Sequence, residues 1–160
     1  MNHPTNPTKI VQSYLQVAKK GGTIPQEFID ALNKDLSLEY AASIQYVVHA
    51  ANFTDPSDVS FAKELNKHAD EESSHAKLLA DRINFLGGLV TIEVGDRNTA
   101  SDTKTMIQQD LEGEQTSIDR YKTRISEAEK FGDIGTAQTL RAILADEEEH
   151  KSDLLAYLKK

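Results

Sequence analysis

Glu72-Ser73-Ser74-His75 and Glu147-Glu148-Glu149-His150 each set a glutamate and a histidine three residues apart. On a helix such a pair leaves the same face. Each pair has a lone glutamate the same distance upstream: Glu39 stands 33 residues before Glu72, and Glu114 stands 33 before Glu147. The surroundings repeat as well. Asp35-Leu36-x-x-Glu39 matches Asp110-Leu111-x-x-Glu114, and Tyr46 and Tyr121 each follow seven residues after the glutamate. The chain therefore carries an internal repeat of about 75 residues, giving four carboxylates and two imidazoles, the donor set of a two-metal site.

The same residues fall on apolar stripes. Phe28, Leu32, Leu36, Glu39, Ser43, Tyr46, Ala50 and Phe53 predict a helix over about 25–53. Thr23, with Gln26 three residues on and Pro25 in the first turn, marks its start. Asp55-Pro56-Ser57 breaks it, and Phe61, Leu65, Ala69, Glu72, Ala76, Leu79, Ile83 and Leu86 carry a second helix to Gly87-Gly88. From 89 to 100 no helical period survives, and residues 91–94 read as extended. Ser101 or Thr103 is the expected cap of a third helix, striped by Ile107, Leu111, Glu114, Ile118, Tyr121, Ile125 and Ala128. After Phe131-Gly132-Asp133 a fourth runs through Ala137, Leu140, Leu144, Glu147, Lys151, Leu154 and Leu158. Hairpin, long crossover, hairpin predicts an all-α four-helix bundle. Ahead of it, Ile10, Val11, Tyr14, Leu15, Val17 and Ala18 predict a short N-terminal helix over 8–20, so that 1–24 forms an extension and 25–160 the bundle.

Each of the four glutamates sits mid-stripe and so faces inward. Ionised carboxylates buried together and unpaired would cost several kcal/mol or more each; two divalent cations remove that cost. Carboxylate with imidazole suits iron or manganese, and the absence of Cys excludes thiolate sites. The register is forced, because neither Glu71 nor Glu148 has a histidine three residues later. Metal-bound histidines usually pass their second ring nitrogen to a carboxylate, and Glu71 and Asp146 are placed to serve the histidine of the opposite helix. Tyr46 and Tyr121 are expected within a turn or two of the site, with ordinary core packing the alternative for Tyr121. His68, one turn before Glu72, is read as a solvated side chain, with a secondary iron contact the alternative, and His3 and His49 have no assigned role.

Residues 25–159 resemble bacterioferritin. The likeness lies in Leu32-Asn33-x-x-Leu36-x-x-Glu39, in Asp146-Glu147-Glu148-x-His150, and in the glutamate plus Glu-x-x-His pattern general to ferritin-like bundles. The resemblance implies a ferritin-like four-helix bundle in which Glu72 and Glu147 bridge two irons. Glu39 and His75 would complete one iron, Glu114 and His150 the other, with Tyr46 beside the centre. It implies a ferroxidase that oxidises Fe(II) with O2 or H2O2 and stores the product. Ser73 stands where the family's haem-ligating methionine would be, so no haem is expected there. Only ten residues follow His150, too few in this sequence for the fifth helix of 24-subunit ferritins, so a homo-oligomeric cage of twelve subunits is expected over twenty-four.

A net charge of -8 argues against coating DNA, since Lys9, Lys19 and Lys20 make a thin basic tail. The polar, proline-broken start is unlike a secretory signal, no apolar run spans a bilayer, and a cytoplasmic location is expected. The alternative reading keeps the two metals without storage, as in a rubrerythrin-like peroxidase, a manganese catalase or a di-iron oxygenase.

Overall fold

A computed structural model describes residues 24–159. The short helix expected over 8–20, and most of the proposed extension, lie outside these residues. Four long helices follow: α1 Gln26–Asn52, α2 Val59–Phe85, α3 Thr103–Lys130 and α4 Ile134–Leu158. α1 pairs with α2 and α3 with α4 as hairpins, and the two hairpins meet face to face. Among the described residues there is no strand.

The breaks are local chemistry. Between α1 and α2, Asp55 accepts from the Ser57 N–H at 2.8 Å and starts a single 3-10 turn, Pro56–Asp58. α2 closes where Gly87, at φ 82, lets the Gly88 N–H reach Ile83 O at 2.9 Å. The third helix is capped by Asp102, which lies between the two expected caps and accepts from the Thr105 N–H at 2.9 Å. Asp competes equally with Ser and Thr at this position. At the start of α1, Pro25 is the N-cap and makes no side-chain cap bond; its carbonyl accepts from Phe28 at 3.1 Å. Gly132, at φ 74, turns the chain into α4, where Asp133 caps Thr136 and also takes Arg82 of α2 at 3.0 Å.

The crossover has no regular structure, as its lost periodicity predicts, and it is tied along α1 rung by rung. Asn33 holds Leu89 O and the Thr91 N–H at 2.9 and 2.8 Å, and Ser37 O accepts from Gly95 at 2.7 Å. Gln45 accepts from the Asn98 N–H at 2.6 Å, and His49 lies 3.1 Å from Asn98 O. From Asn33 to His49 a helix rises about 24 Å, which the segment from Leu89 to Asn98 covers only if nearly extended.

Two apolar clusters fill the bundle. One joins Phe28, Leu32, Leu36, Leu79, Ile83, Ile125, Leu140 and Ile143; the other joins Tyr46, Phe61, Leu65, Ile107 and Leu154. The inward glutamates and histidines form the layer between them. The first cluster is tight where α2 ends: a Cβ on Gly88 would meet Ile29 Cγ2 at 2.4 Å and Ile83 Cγ2 at 3.0 Å. Gly88→Ala should overpack this corner and cost about 1–3 kcal/mol in thermal or denaturant unfolding. An unchanged midpoint would mean the corner relaxes freely.

Candidate metal centre

Glu39, Glu72, Glu114, Glu147, His75 and His150 are each buried to 3% exposure or less. Their helices bring all six into one layer, as two donor groups. Glu39, Glu72, His75 and Glu147 offer atoms within 4.8 Å of one another, and so do Glu72, Glu114, Glu147 and His150. Glu72 and Glu147 belong to both groups. His75 Nδ1 lies 3.2 Å from Glu147, 3.3 Å from Glu72 and 3.5 Å from Glu39. On the other side, His150 Nδ1 lies 3.1 Å from Glu72 and 3.6 Å from Glu114. Donors bound at about 2.1 Å to one ion stand about 3.0–3.4 Å apart, so the spacing suits shared ions.

The surrounding contacts cross between hairpins. His75 Nε2 lies 3.1 Å from Asp146 Oδ2 and His150 Nε2 lies 3.1 Å from Glu71 Oε2. Each imidazole is thus oriented by the opposite helix, as the sequence suggested, with Nδ1 turned inward. The tyrosines do the same for the unshared glutamates. The Tyr46 hydroxyl donates to Glu114 Oε1, and the Tyr121 hydroxyl donates to Glu39 Oε1 at 2.5 Å. Of the two readings of Tyr121, the place beside the site holds: it is the repeat's counterpart of Tyr46. Arg120 adds a 3.2 Å bond to Glu39.

Four further polar residues have buried roles that the sequence reading did not assign. Asp110 and His49 are both buried and meet at 2.8 Å, fixing the crossover beside the centre. Asp35, one turn before Glu39, is fully buried against Arg124 at 2.8 Å. His68, expected in solvent, is 0% exposed: its ring stacks on that of His150 with centroids 4.2 Å apart. It lies one turn before Glu72 on the apolar stripe, and that register was the signal available.

Protonation follows from the crowding. Burial, then the Glu39 charge, pushes Glu72 up to about 8. Burial with the charges of Glu72 and Glu39 drives Glu147 well above the carboxylate range. Burial would raise Glu39, but its contacts with His75 and Glu72 and the Arg120 charge hold it at about 2. Glu114 is likewise buried yet lowered, by His150, Glu147 and Tyr46. Burial opposes charge on both histidines, but Glu114 and Glu72 hold His150 up at about 10, and Glu147, Glu39 and Glu72 raise His75 further. Without metal, protons on Glu72, Glu147, His75 and His150 neutralise the layer.

The donor set fits metal. Glu39 Oε2, Glu72 Oε1, Glu114 Oε2, Glu147 Oε1 and His150 Nδ1 are buried without a hydrogen bond of acceptable geometry. Buried polar atoms are normally satisfied, so this concentration of unpartnered oxygens in one layer is compatible with bound cations in place of the protons.

Known proteins share this arrangement of helices. The sequence profile of the ferritin-like domain matches residues 29–160. A bacterioferritin of Streptomyces coelicolor is 34% identical over 125 residues, covering 78% of this chain and 75% of the relative. The dodecameric thioferritin of Bacteroides fragilis, a bacterioferritin-related protein, superposes with a TM-score of 0.81 at 31% identity, over 92% of this chain and 93% of that one. A ferritin-like di-iron-carboxylate protein of Bacillus anthracis gives a TM-score of 0.80 at 29% identity, over 83% and 96%. Matched by that profile along most of its length and folded on the same four helices, the chain belongs to the ferritin-like family.

Proposed function

We propose that this chain is a ferroxidase that oxidises Fe(II) and stores the product. Glu39, Glu72, His75, Glu114, Glu147 and His150 would hold two iron ions, and Tyr46 would steady the unshared carboxylate of Glu114. The observation that carries this reading is the pair of donor groups sharing Glu72 and Glu147. Two ferrous ions held there supply one electron each to dioxygen or hydrogen peroxide. Manganese satisfies the same donors.

A cavity of about 280 Å³ between α1 and α3 has Tyr46 and Glu114 in its wall, with Asp96, Asp110 and Glu112 around it. Its four carboxylates outnumber the one cation in the wall, Arg120, which supports this cavity as the proposed entry for Fe(II). The shared carboxylates take up and release protons as metal comes and goes. Relatives named bacterioferritin and bacterial ferritin support storage as the purpose.

The expected assembly is a homo-oligomeric cage, twelve subunits in preference to twenty-four. Ile44, Val47 and Val48 on α1 and Ile92 and Val94 on the crossover are exposed, an apolar face suited to a second copy. In the groove beside it, Ser73 shares a 2.8 Å hydrogen bond with Ser43 and offers no thioether, so haem is not expected there. No helix among the described residues is long and apolar enough to cross a membrane; a cytoplasmic site of action is part of the proposal.

Successive aerobic additions of Fe(II), followed by ferric absorbance and product size, test this. A fast phase saturating near roughly two irons per chain, then continued growth of soluble mineral, is expected. A single oxidation that stops there, or iron that precipitates, would assign the centre to redox catalysis without storage.

A further inference from the structure

We infer that Glu64, His68 and Asp153 form a separate binding site for one divalent first-row transition ion, on the α2/α4 face of the bundle. Their donor atoms lie within 4.8 Å of one another. His68 Nε2 stands 3.4 Å from Asp153 Oδ2 and 3.8 Å from Glu64 Oε1. These separations exceed a good N–H···O bond, at about 2.7–3.2 Å, and the shorter one matches two donors on one ion at bond lengths of about 2.1 Å.

His68 is the independent sign of a ligand. It is fully buried, and its Nε2, the ring nitrogen that faces the two carboxylates, has only the long 3.4 Å contact to Asp153. A buried ring nitrogen held only at that distance is weakly satisfied, and a metal on Nε2 would replace this long contact with a coordinate bond. The ring is also fixed in aim, stacked on His150 on one side and edge-on to Tyr46, with centroids 5.3 Å apart.

The outer half of the site is open. Glu64 and Asp153 side chains are 38% and 36% exposed, and both line a surface cavity of about 340 Å³ with Ser60, Phe61, Glu149 and Tyr157. Water can therefore complete the coordination. Lys67 Nζ, 3.3 Å from Glu64 Oε1, neutralises this carboxylate until a cation displaces it. One imidazole and two carboxylates suit Fe(II), Mn(II), Co(II) or Zn(II).

The site stands one ring away from His150, on the face opposite the cavity between α1 and α3. Its existence rests on its own three donors. Only its use, as a station for metal leaving or reaching the six-residue layer, rests on the ferroxidase reading.

Co(II) added without oxygen to the full chain is the probe, read by equilibrium dialysis and by anomalous diffraction from crystals soaked in Co(II). Anomalous density between Glu64, His68 and Asp153 is expected. The Glu64→Gln/Asp153→Asn double variant should bind one Co(II) fewer per chain than the unaltered protein, and keep the ions of the six-residue layer. Two results would overturn the inference: no density at these donors while the six-residue layer is filled, or a double variant that binds as much Co(II) as the parent. Density here with none in the six-residue layer would support this site and refute the ferroxidase centre instead. The diffraction result needs no variant to fold.

Discussion

Glu72→Gln and Glu147→Gln are each expected to slow the fast phase of aerobic Fe(II) oxidation about 100-fold or more, which corresponds to roughly 3 kcal/mol of barrier. Both residues belong to both donor groups, so one substitution removes a charged donor from each ion at once. Glu39→Gln and Glu114→Gln remove a donor from one group only and should cost less. The fold should survive. Burial already pushes Glu72 and Glu147 toward the protonated acid, and a carboxamide closely imitates that form. Metal-free melting points should therefore stay near that of the parent, while stabilisation by added Mn(II) falls. Stopped-flow ferric absorbance reads the first effect and calorimetry the second. Parental oxidation rates in both shared-residue variants would remove these residues from the site.

The pH dependence of metal binding should be steep. In the metal-free protein Glu72 titrates near 8, His150 near 10, and Glu147 and His75 are raised as well. Each must lose its proton to act as a donor. Below about pH 8 every one of these groups competes with metal, and release approaching roughly four protons for two ions is expected at neutral pH. Apparent affinity should thus rise up to about 100-fold per ion for each pH unit between 6 and 7. Folding stability moves the opposite way. A pKa raised in the folded state contributes stability that is complete below the unfolded value, 4.5 for Glu72 and 6.5 for His150, and is lost as pH rises through 8 and 10. The metal-free chain should soften toward alkaline pH while the loaded chain does not. Titration calorimetry in buffers of different ionisation enthalpy counts the protons; an affinity flat from pH 6 to 8 would refute the protonated layer.

Sequence made the layer of inward glutamates and histidines legible because its signal is periodic. Glu39, Glu72, Glu114 and Glu147 interrupt apolar stripes at a fixed repeat, and the histidines leave one register. The orienting roles of Glu71 and Asp146 were legible for the same reason. Pairings set by the docking of the two hairpins left no such mark. Asp35 and Asp110 open the two repeats identically, yet one is held by Arg124 and the other by His49. Which partner reaches which aspartate depends on how α1 faces α3, and no local pattern encodes that. The preferred reading of His68 as solvated failed because a polar residue beside Ala69 reads equally as the edge of a stripe or as its interior. The caps moved by a residue because Ser, Asp and Thr stand in a row at 101–103 and each can serve.

The bonds that hold the centre join residues far apart in the chain: Tyr46 to Glu114, Asp146 to His75, Glu71 to His150 and Tyr121 to Glu39 span 68, 71, 79 and 82 positions. Each half of the chain thus supplies the clamps for the other half's donors. During synthesis, the first hairpin can coil and collapse while α3 is still unmade, but it then holds three of the six donors and none of the partners that aim them. On the proposed reading, metal would therefore find its aimed donors only in a nearly finished molecule. If the layer holds metal as proposed, uptake would follow the closure of the chain rather than nucleate it.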